Sequence, residues 1–252
     1  MSDEAAIDQL AQWVSESSRG VFFGGAGVST DSGIPDFRSA AGLYSSSSGY
    51  DTPEYLLSAD CLEHEPEKFY RLYKNELVHP EAKPNAAHIH VNTLIEAGHL
   101  TSVVTQNIDS LHQAAGTQNV YELHGSAWTN YCVSPAHHGA SLEQVMEGDG
   151  VPYCPECGAM VRPHVVLYGE GLDMDVVEGA VNRISEADLV IVGGTSLNVY
   201  PAAGLLRYYS GDRLVLINAT PTAWDNEANL VIHGRLGEVL GAVVDRLGLC
   251  QR

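Results

Sequence analysis

Four short apolar runs, each long enough for one buried strand, constrain the fold of this chain more than any other feature. They lie at residues 21–23, 102–105, 189–192 and 214–217. Helix-length segments separate them, and apolar residues recur at helical spacing before the first run, at Ile7, Leu10, Ala11 and Val14. Short buried strands that alternate with helices are typical of βαβ units. The sequence therefore predicts an α/β fold with a doubly wound parallel sheet of the Rossmann-like kind.

Polar or glycine-rich loops follow these runs at 24–27, 106–109, 193–196 and 218–220. Ligands of doubly wound sheets bind beyond the carboxyl ends of the strands, so one crevice could collect all four loops. The glycines of 24–27 would let backbone N–H groups approach a pyrophosphate. However, Thr30 stands where the usual fingerprint has its third glycine, and no acid follows at the ribose-binding distance. A hydride-transfer dehydrogenase is therefore disfavoured.

Two segments interrupt the alternation and predict a smaller second lobe. Residues 40–84 are rich in Tyr and Glu and predict a helical module, whereas 128–160 are rich in Cys, His, Pro and Gly and predict a zinc-ribbon-like module. The main domain would then consist of 1–39, 85–127 and 161–252.

The formal net charge of −19 argues against direct contact with nucleic acid or anionic lipid, which need clustered Lys and Arg. No apolar run approaches the ~18 residues needed to span a bilayer. The N-terminal residues carry no basic region followed by an apolar run. We expect a cytoplasmic protein without a membrane partner.

Six motifs occur in one order along the chain: GAGVSTDSGIPDFR at 25–38, TQNIDSLH at 105–112, ELHG at 122–125, RPHVVLYGE at 162–170, GTSLNVYPA at 194–202 and LINAT at 216–220. Together they resemble the sirtuin family over nearly the whole chain. The resemblance implies an NAD-dependent protein-lysine deacylase, above all a deacetylase, with NAD as a cosubstrate and an acyl-lysine protein or peptide as the partner. The products would be nicotinamide, O-acyl-ADP-ribose and the deacylated lysine.

The resemblance also implies roles for individual residues. His124 would be the catalytic base that deprotonates the ribose, with Asn107 as a second catalytic residue. The residues implied in NAD binding are Gly25, Ala26, Gly27, Ser29, Asp36, Phe37, Arg38, Gln106, Ile108, Asp109, Gly194, Thr195, Ser196 and Asn218. Those implied in substrate binding are Val166, Tyr168, Gly169 and Glu170, with Tyr168 standing where the family usually carries Phe.

Taken singly, these residues also have structural interpretations, such as turn capping for Asn107 and Asp109. Two rival functions also stay open at this point. One is mono-ADP-ribosylation, for which we would expect a changed catalytic triplet. The other is a non-catalytic sensor of NAD or ADP-ribose.

The cysteines depart from the family pattern. Sirtuins of this kind usually carry two Cys-x-x-Cys pairs that hold a structural zinc ion. Here Cys154 and Cys157 form the second pair, but Cys132 is followed three residues on by Pro135, which has no donor atom. Three alternatives follow: a three-cysteine site completed by His137 or His138, a weakened site completed by water, and a module that holds without metal.

The acyl specificity is predicted from residues after the first motif. Family members specialised for dicarboxylic acyl groups carry a Tyr and, three residues on, an Arg, whereas here Tyr44 is followed at that distance by Ser47. A buried carboxylate without a cation would be costly. The sequence therefore favours acetyl or another neutral acyl group.

Overall fold

The main sheet holds six strands, all paired in parallel, in a computed structural model that describes residues 3–36 and 52–249. The strand order is β3-β2-β1-β7-β8-β9. The bounds are Gly20–Gly24 for β1, Leu100–Thr105 for β2, Val120–Glu122 for β3, Val190–Gly193 for β7, Leu214–Asn218 for β8 and Leu230–His233 for β9. Every predicted apolar run forms one of these strands, and the predicted parallel sheet is confirmed.

Helices cover both faces of this sheet. One face packs against α1 (Asp3–Glu16), α5 (Ala86–Glu96) and α9 (Leu236–Arg246), and the other against α8 (Met174–Glu186) and a 3₁₀ helix at Ala202–Tyr208. Alternate residues of β1 serve the two faces, since Phe22 belongs to the first core and both Val21 and Phe23 belong to the second. Burial on both faces explains why the strand reads as a continuous apolar run.

A second, antiparallel sheet has the order β5-β4-β6, with β4 at Gly125–Cys132, β5 at Gly139–Ala140 and β6 at Val161–Val165. Short helices pack beside it: α2 (Pro53–Leu56), α3 (Ala59–His64), α4 (Pro66–Leu72), which continues as a π-helix over Tyr73–Leu77, and α7 (Leu142–Met146). Phe69 and Tyr73 from one predicted insertion share a core with Val145 from the other. This common core is consistent with the expected smaller lobe, whose boundaries stay a prediction.

Short helical segments complete the described part of the chain: 3₁₀ turns at Ala26–Val28 and Thr30–Ser32, and α6 at Leu111–Ala114. Among the helices of the described residues, none is long and apolar enough to cross a membrane.

Candidate active site

Two glycine-containing loops meet at the carboxyl ends of β1 and β7. The backbone N–H of Gly27 donates to the carbonyl of Gly194 at 2.8 Å, and that of Gly25 donates to the carbonyl of Gly193 at 3.3 Å. A Cβ atom on Gly27 would lie 2.8 Å from the Gly194 oxygen, and one on Gly25 would lie 2.6 Å from the Cβ of Thr195. The missing side chains therefore allow a close approach of backbone to backbone.

Asn218 joins the end of β8 to the loop after β7. Its Oδ1 atom accepts a hydrogen bond from the backbone N–H of Thr195 at 2.9 Å, and both residues are buried. The Nδ2 atom of Asn218 is also buried, and it has no partner among the described residues. A buried donor without a partner costs about 1–3 kcal/mol, so this atom marks a place for an acceptor on a ligand. Ser196, beside it, is exposed.

Ser29 connects the loops after β1 and β2. Its hydroxyl donates to Asp109 Oδ2 at 2.6 Å and accepts from Asn107 Nδ2 at 3.0 Å. Asp109 Oδ1 accepts from the backbone N–H of Leu111, the first residue of α6, and so closes the turn before that helix. One Asp109 oxygen thus has the turn-capping contact considered above, whereas the other accepts the hydrogen bond from Ser29 in the cleft. The bond to Ser29 also orients the Asn107 amide.

The start of α5 holds the segment that carries Ser29. The Asn85 side chain accepts from the N–H of Ala87 at the helix N-terminus. The same side chain donates through Nδ2 to the Val28 carbonyl at 2.8 Å and to Ser32 Oγ at 2.9 Å. One residue therefore both caps the helix and ties the loop after β1 to it.

His124 lies between β3 and β4, and its ring is oriented by the loop after β2. The Nδ1 atom is 2.8 Å from the carbonyl oxygen of Gln106. A carbonyl can only accept, so Nδ1 carries the proton in the neutral ring and Nε2 is left as an acceptor. Burial lowers the pKa of His124, and the bond to Gln106 offsets this only in part. The neutral, basic form of the ring is favoured at physiological pH.

A cavity of about 290 Å³ lies in front of these groups. The predicted residues that line it are Ala26, Ser29, Gln106, Asn107, Ile108, Asp109, His124, Val166, Tyr168, Gly169 and Glu170. Among the described residues predicted to bind NAD, those that do not line it are Gly25, Gly27, Asp36, Gly194, Thr195, Ser196 and Asn218. All of them except the half-buried Asp36 belong to the strand ends and loops of β1, β7 and β8 described above. The predicted NAD-binding residues therefore divide between this cavity and those loops.

Several residues of the cavity wall were not predicted from the sequence. They include Leu57 and Leu77 from the smaller lobe, together with Leu167, Leu172, Val199, Tyr200 and Pro201. The last three belong to the GTSLNVYPA motif, which could have indicated them. The two leucines of the smaller lobe carry no local signal, because only the packing of that lobe brings them to the cleft.

The segment after β6 forms one side of the cavity. The N–H of Val166 donates to the carbonyl of His124 at 2.9 Å, and Tyr168 pairs with the chain before α3. The carboxylate of Glu170 accepts from Arg162 at 2.8 and 3.1 Å and from the backbone N–H of Leu167. The Glu170 side chain is thus occupied within the protein. The Tyr168 backbone is occupied as well, because its N–H donates to the Leu57 carbonyl at 3.1 Å and its carbonyl accepts from the Ala59 N–H at 3.0 Å.

A separate group of metal-binding side chains lies in the smaller lobe. The ligand atoms of Cys132, His138, Cys154 and Cys157 all lie within 4.8 Å of one another. His137 is outside this group, with its ring centre 5.5 Å from that of Tyr131. Of the two histidines predicted as candidates, the structure therefore brings His138 to the cysteines.

Some predicted residues lie outside the described ranges. These are Phe37 and Arg38, expected to close the pocket, and Tyr44 and Ser47, from which the acyl specificity was predicted. Their roles stay predictions.

The fold and the cleft define a class: a doubly wound α/β protein whose ligand crevice carries an oriented, neutral histidine at the junction with a smaller lobe. The Sir2 family model matches residues 25–201. An NAD-dependent protein deacetylase of Clostridium perfringens (strain 13 / Type A) is 52% identical over 241 residues, 95% of this chain and 98% of its own. An NAD-dependent protein deacetylase of Cutibacterium acnes (strain DSM 16379 / KPA171202) is 52% identical over 237 residues, 94% of this chain and 96% of its own.

Solved structures give the same result. The complex described as "Sir2-p53 peptide-NAD+" has a TM-score of 0.84 at 36% identity, covering 97% of this chain and 99% of that one. "Sir2 bound to acetylated peptide" has a TM-score of 0.83 at 35% identity with the same coverage. The chain belongs to the Sir2 family.

Proposed function

We propose that this protein is an NAD-dependent protein-lysine deacetylase that releases nicotinamide, O-acyl-ADP-ribose and free lysine. The observation that carries the proposal is the setting of His124. Its ring is oriented by the Gln106 carbonyl, burial lowers its pKa, and its Nε2 atom is left as an acceptor at the wall of the cavity. A base with these properties suits removal of a proton from a ribose hydroxyl near neutral pH.

The crevice suits NAD on two structural grounds. The buried Nδ2 of Asn218 and the buried Nε2 of Gln106 lack partners among the described residues, and both are donors that a ligand's oxygen atoms would satisfy. The glycine contacts between the loops after β1 and β7 leave no room for side chains beneath the ligand. We assign NAD binding to the residues expected from the sequence, with Asn218 serving the adenosine side and Gln106 the nicotinamide side.

The partner that this cleft would admit is a peptide or protein that carries an acyl-lysine. Apolar side chains from both lobes, among them Leu57, Leu77 and Val166, line the cavity and would surround the aliphatic stem of the lysine. We assign backbone pairing with the peptide to Gly169, because both backbone groups of Tyr168 and the N–H of Glu170 are already bonded within the protein. A neutral acyl group suits these walls because an acyl carboxylate would lie among apolar groups. The formal net charge of −19 further disfavours nucleic acid as a direct partner.

When bound, NAD would supply an anomeric carbon from which the acyl oxygen displaces nicotinamide. A ribose hydroxyl would then bond to the acyl carbon as it loses its proton, and water would release the free lysine and O-acyl-ADP-ribose. His124 would accept the hydroxyl proton at Nε2, while its Nδ1–H stays bonded to the Gln106 carbonyl and so holds the ring in place. Asn107 donates one amide hydrogen to Ser29, and we assign its Oδ1 atom to a ligand hydroxyl.

The test is incubation of the purified protein with an acetyl-lysine peptide, with and without NAD, while peptide mass and nicotinamide release are followed. The His124→Ala variant should lose about 10²–10⁴-fold in rate, the usual contribution of a general base. His64→Ala is the matched control, because His64 is an exposed histidine outside the cavity, and it should keep the wild-type rate.

Three other outcomes would overturn the assignment. Full activity of His124→Ala would remove His124 as the base. NAD binding without turnover on acetyl, propionyl and longer acyl peptides would favour a sensor. Transfer of ADP-ribose to protein without loss of the acyl group would favour the mono-ADP-ribosylating alternative.

A further inference from the structure

We infer that this chain completes a tetrahedral metal site with the Nδ1 atom of His138 in place of the missing fourth cysteine. Ser134 supports the site as an outer hydrogen-bond donor to the Cys132 thiolate. This inference concerns the smaller lobe and is independent of the proposed reaction.

Two of the distances between ligand atoms agree with zinc, and all of the ligand atoms lie within 4.8 Å of one another. Bond lengths of about 2.3 Å to sulfur and 2.0–2.1 Å to nitrogen in a tetrahedron give roughly 3.8 Å between two sulfurs and roughly 3.5 Å between sulfur and nitrogen. The structure has 3.7 Å between the Sγ atoms of Cys132 and Cys157, and 3.5 Å between Cys154 Sγ and His138 Nδ1. Four protein ligands of soft and borderline character favour zinc in a closed, structural site.

A tight turn explains why His138 is the ligand and His137 is not. The N–H of His137 donates to the Ser134 carbonyl at 3.0 Å, and His137 has a left-handed φ of +46°. The chain then returns to Cys132: the N–H of Cys132 donates to the His138 carbonyl at 2.9 Å, and the N–H of His138 donates to Cys132 Sγ at 3.2 Å. Pro135 lies inside this turn, where it needs no donor atom.

Ser134 lies against two of the thiol groups. Its hydroxyl oxygen is 3.0 Å from Cys132 Sγ and 3.5 Å from Cys157 Sγ. Thiolates bound to a metal have no proton and can only accept, so the hydroxyl must be the donor, and its single hydrogen points to the nearer sulfur, that of Cys132. Three thiolates and one Zn²⁺ leave a net charge of −1, which such a donor offsets.

The test measures metal retention and does not depend on activity. The purified full chain should hold one Zn²⁺, and its release to an excess of chelator is followed with a colorimetric indicator. Because outer-shell partners typically contribute 10–100-fold to metal affinity, Ser134→Ala should release zinc about 10–100-fold faster. Ser134→Thr keeps the hydroxyl and should restore slow release.

The histidine is tested in parallel. His138→Ala should lose the closed site and fail to retain zinc, whereas the matched control His137→Ala should retain it as the wild type does. Because His138→Ala could also unfold the lobe, His138→Cys offers a second measurement. Loaded with Co²⁺, it should show stronger sulfur-to-metal charge-transfer absorption than the wild type, in the ratio of four thiolates to three.

The results that would overturn the inference are equally specific. Wild-type protein that holds no Zn²⁺ after loading would remove the site. If His137→Ala lost zinc and His138→Ala kept it, His137 would be the ligand instead of His138. Equal Co²⁺ charge-transfer intensity in wild type and His138→Cys would mean that residue 138 is not a ligand. If Ser134→Ala released zinc at the wild-type rate, Ser134 would not have the proposed role.

Discussion

Replacement of Gly194 by alanine should disrupt the contact between the loops after β1 and β7. Gly194 has a φ of +62°, and a Cβ atom there would lie 2.4 Å from the backbone nitrogen of Val28 and 2.6 Å from the carbonyl carbon of Gly27. The left-handed conformation costs a non-glycine residue about 1–2 kcal/mol. Overpacking adds about 1–3 kcal/mol, and more where backbone must move. The free energy of unfolding should therefore fall by roughly 2–5 kcal/mol.

For a chain of this size that loss lowers Tm by roughly 4–20 °C, which thermal unfolding followed by circular dichroism would measure. The KM for NAD should also rise, because the displaced loop is the one that we assign to NAD. Gly33→Ala is the matched control: Gly33 has a φ of +86°, but a Cβ there would meet nothing within 4 Å. Its free energy of unfolding should fall only by the cost of the left-handed conformation, about 1–2 kcal/mol. Equal Tm and KM values for the two variants would refute the argument from backbone contact.

Three further predictions concern polar groups. Because burial lowers the pKa of His124, kcat/KM should be flat around neutrality and fall with acidity only below the ordinary histidine pKa of about 6.5; a fall that begins above pH 7 would contradict this. Asn218→Asp keeps the acceptor for the Thr195 N–H but replaces the buried Nδ2 donor by a carboxylate oxygen, so NAD affinity should fall, and the buried charge should lower the urea midpoint at neutral pH as well; unchanged affinity would exclude the assigned contact. Burial lowers the pKa of His88 to about 4 and that of His112 to about 3. Since both bind protons more readily when unfolded, the stability they provide above pH 6.5 should decline as pH falls toward these values, by up to about 1.4 kcal/mol per histidine and pH unit. Urea midpoints that do not change between pH 7 and pH 5 would refute this role of His88 and His112 in the pH dependence of stability.

The parallel sheet could be predicted from the sequence because its central strands are buried on both faces and appear as short apolar runs. The flanking strands β3 and β9 were not predicted. Val120–Glu122 is only three residues long and half-buried, and Leu230–His233 pairs with a neighbour on one side only. Neither has the continuous burial that makes a strand visible as an apolar run, although β9 is as long as the predicted β7.

The candidate site was likewise predictable in part from the sequence and in part only from the structure. Residues such as His124, Asn107 and Asn218 are recognisable because the motifs that contain them resemble those of the sirtuin family. The hydrogen bonds that set their chemistry join residues far apart in the chain, as Ser29 joins Asp109 and Thr195 joins Asn218. No local pattern specifies such pairs.

The fold class, the family resemblance and the set of polar groups at one edge of the sheet could therefore be predicted without a structure. The tertiary structure decided which of these groups meet, which apolar side chains of the smaller lobe close the cavity, and which of two adjacent histidines reaches the cysteines. His137 and His138 are the same residue type one position apart, so composition and spacing cannot distinguish them. The turn from Ser134 to His137 does so, because it directs one ring toward Tyr131 and the other toward Cys154.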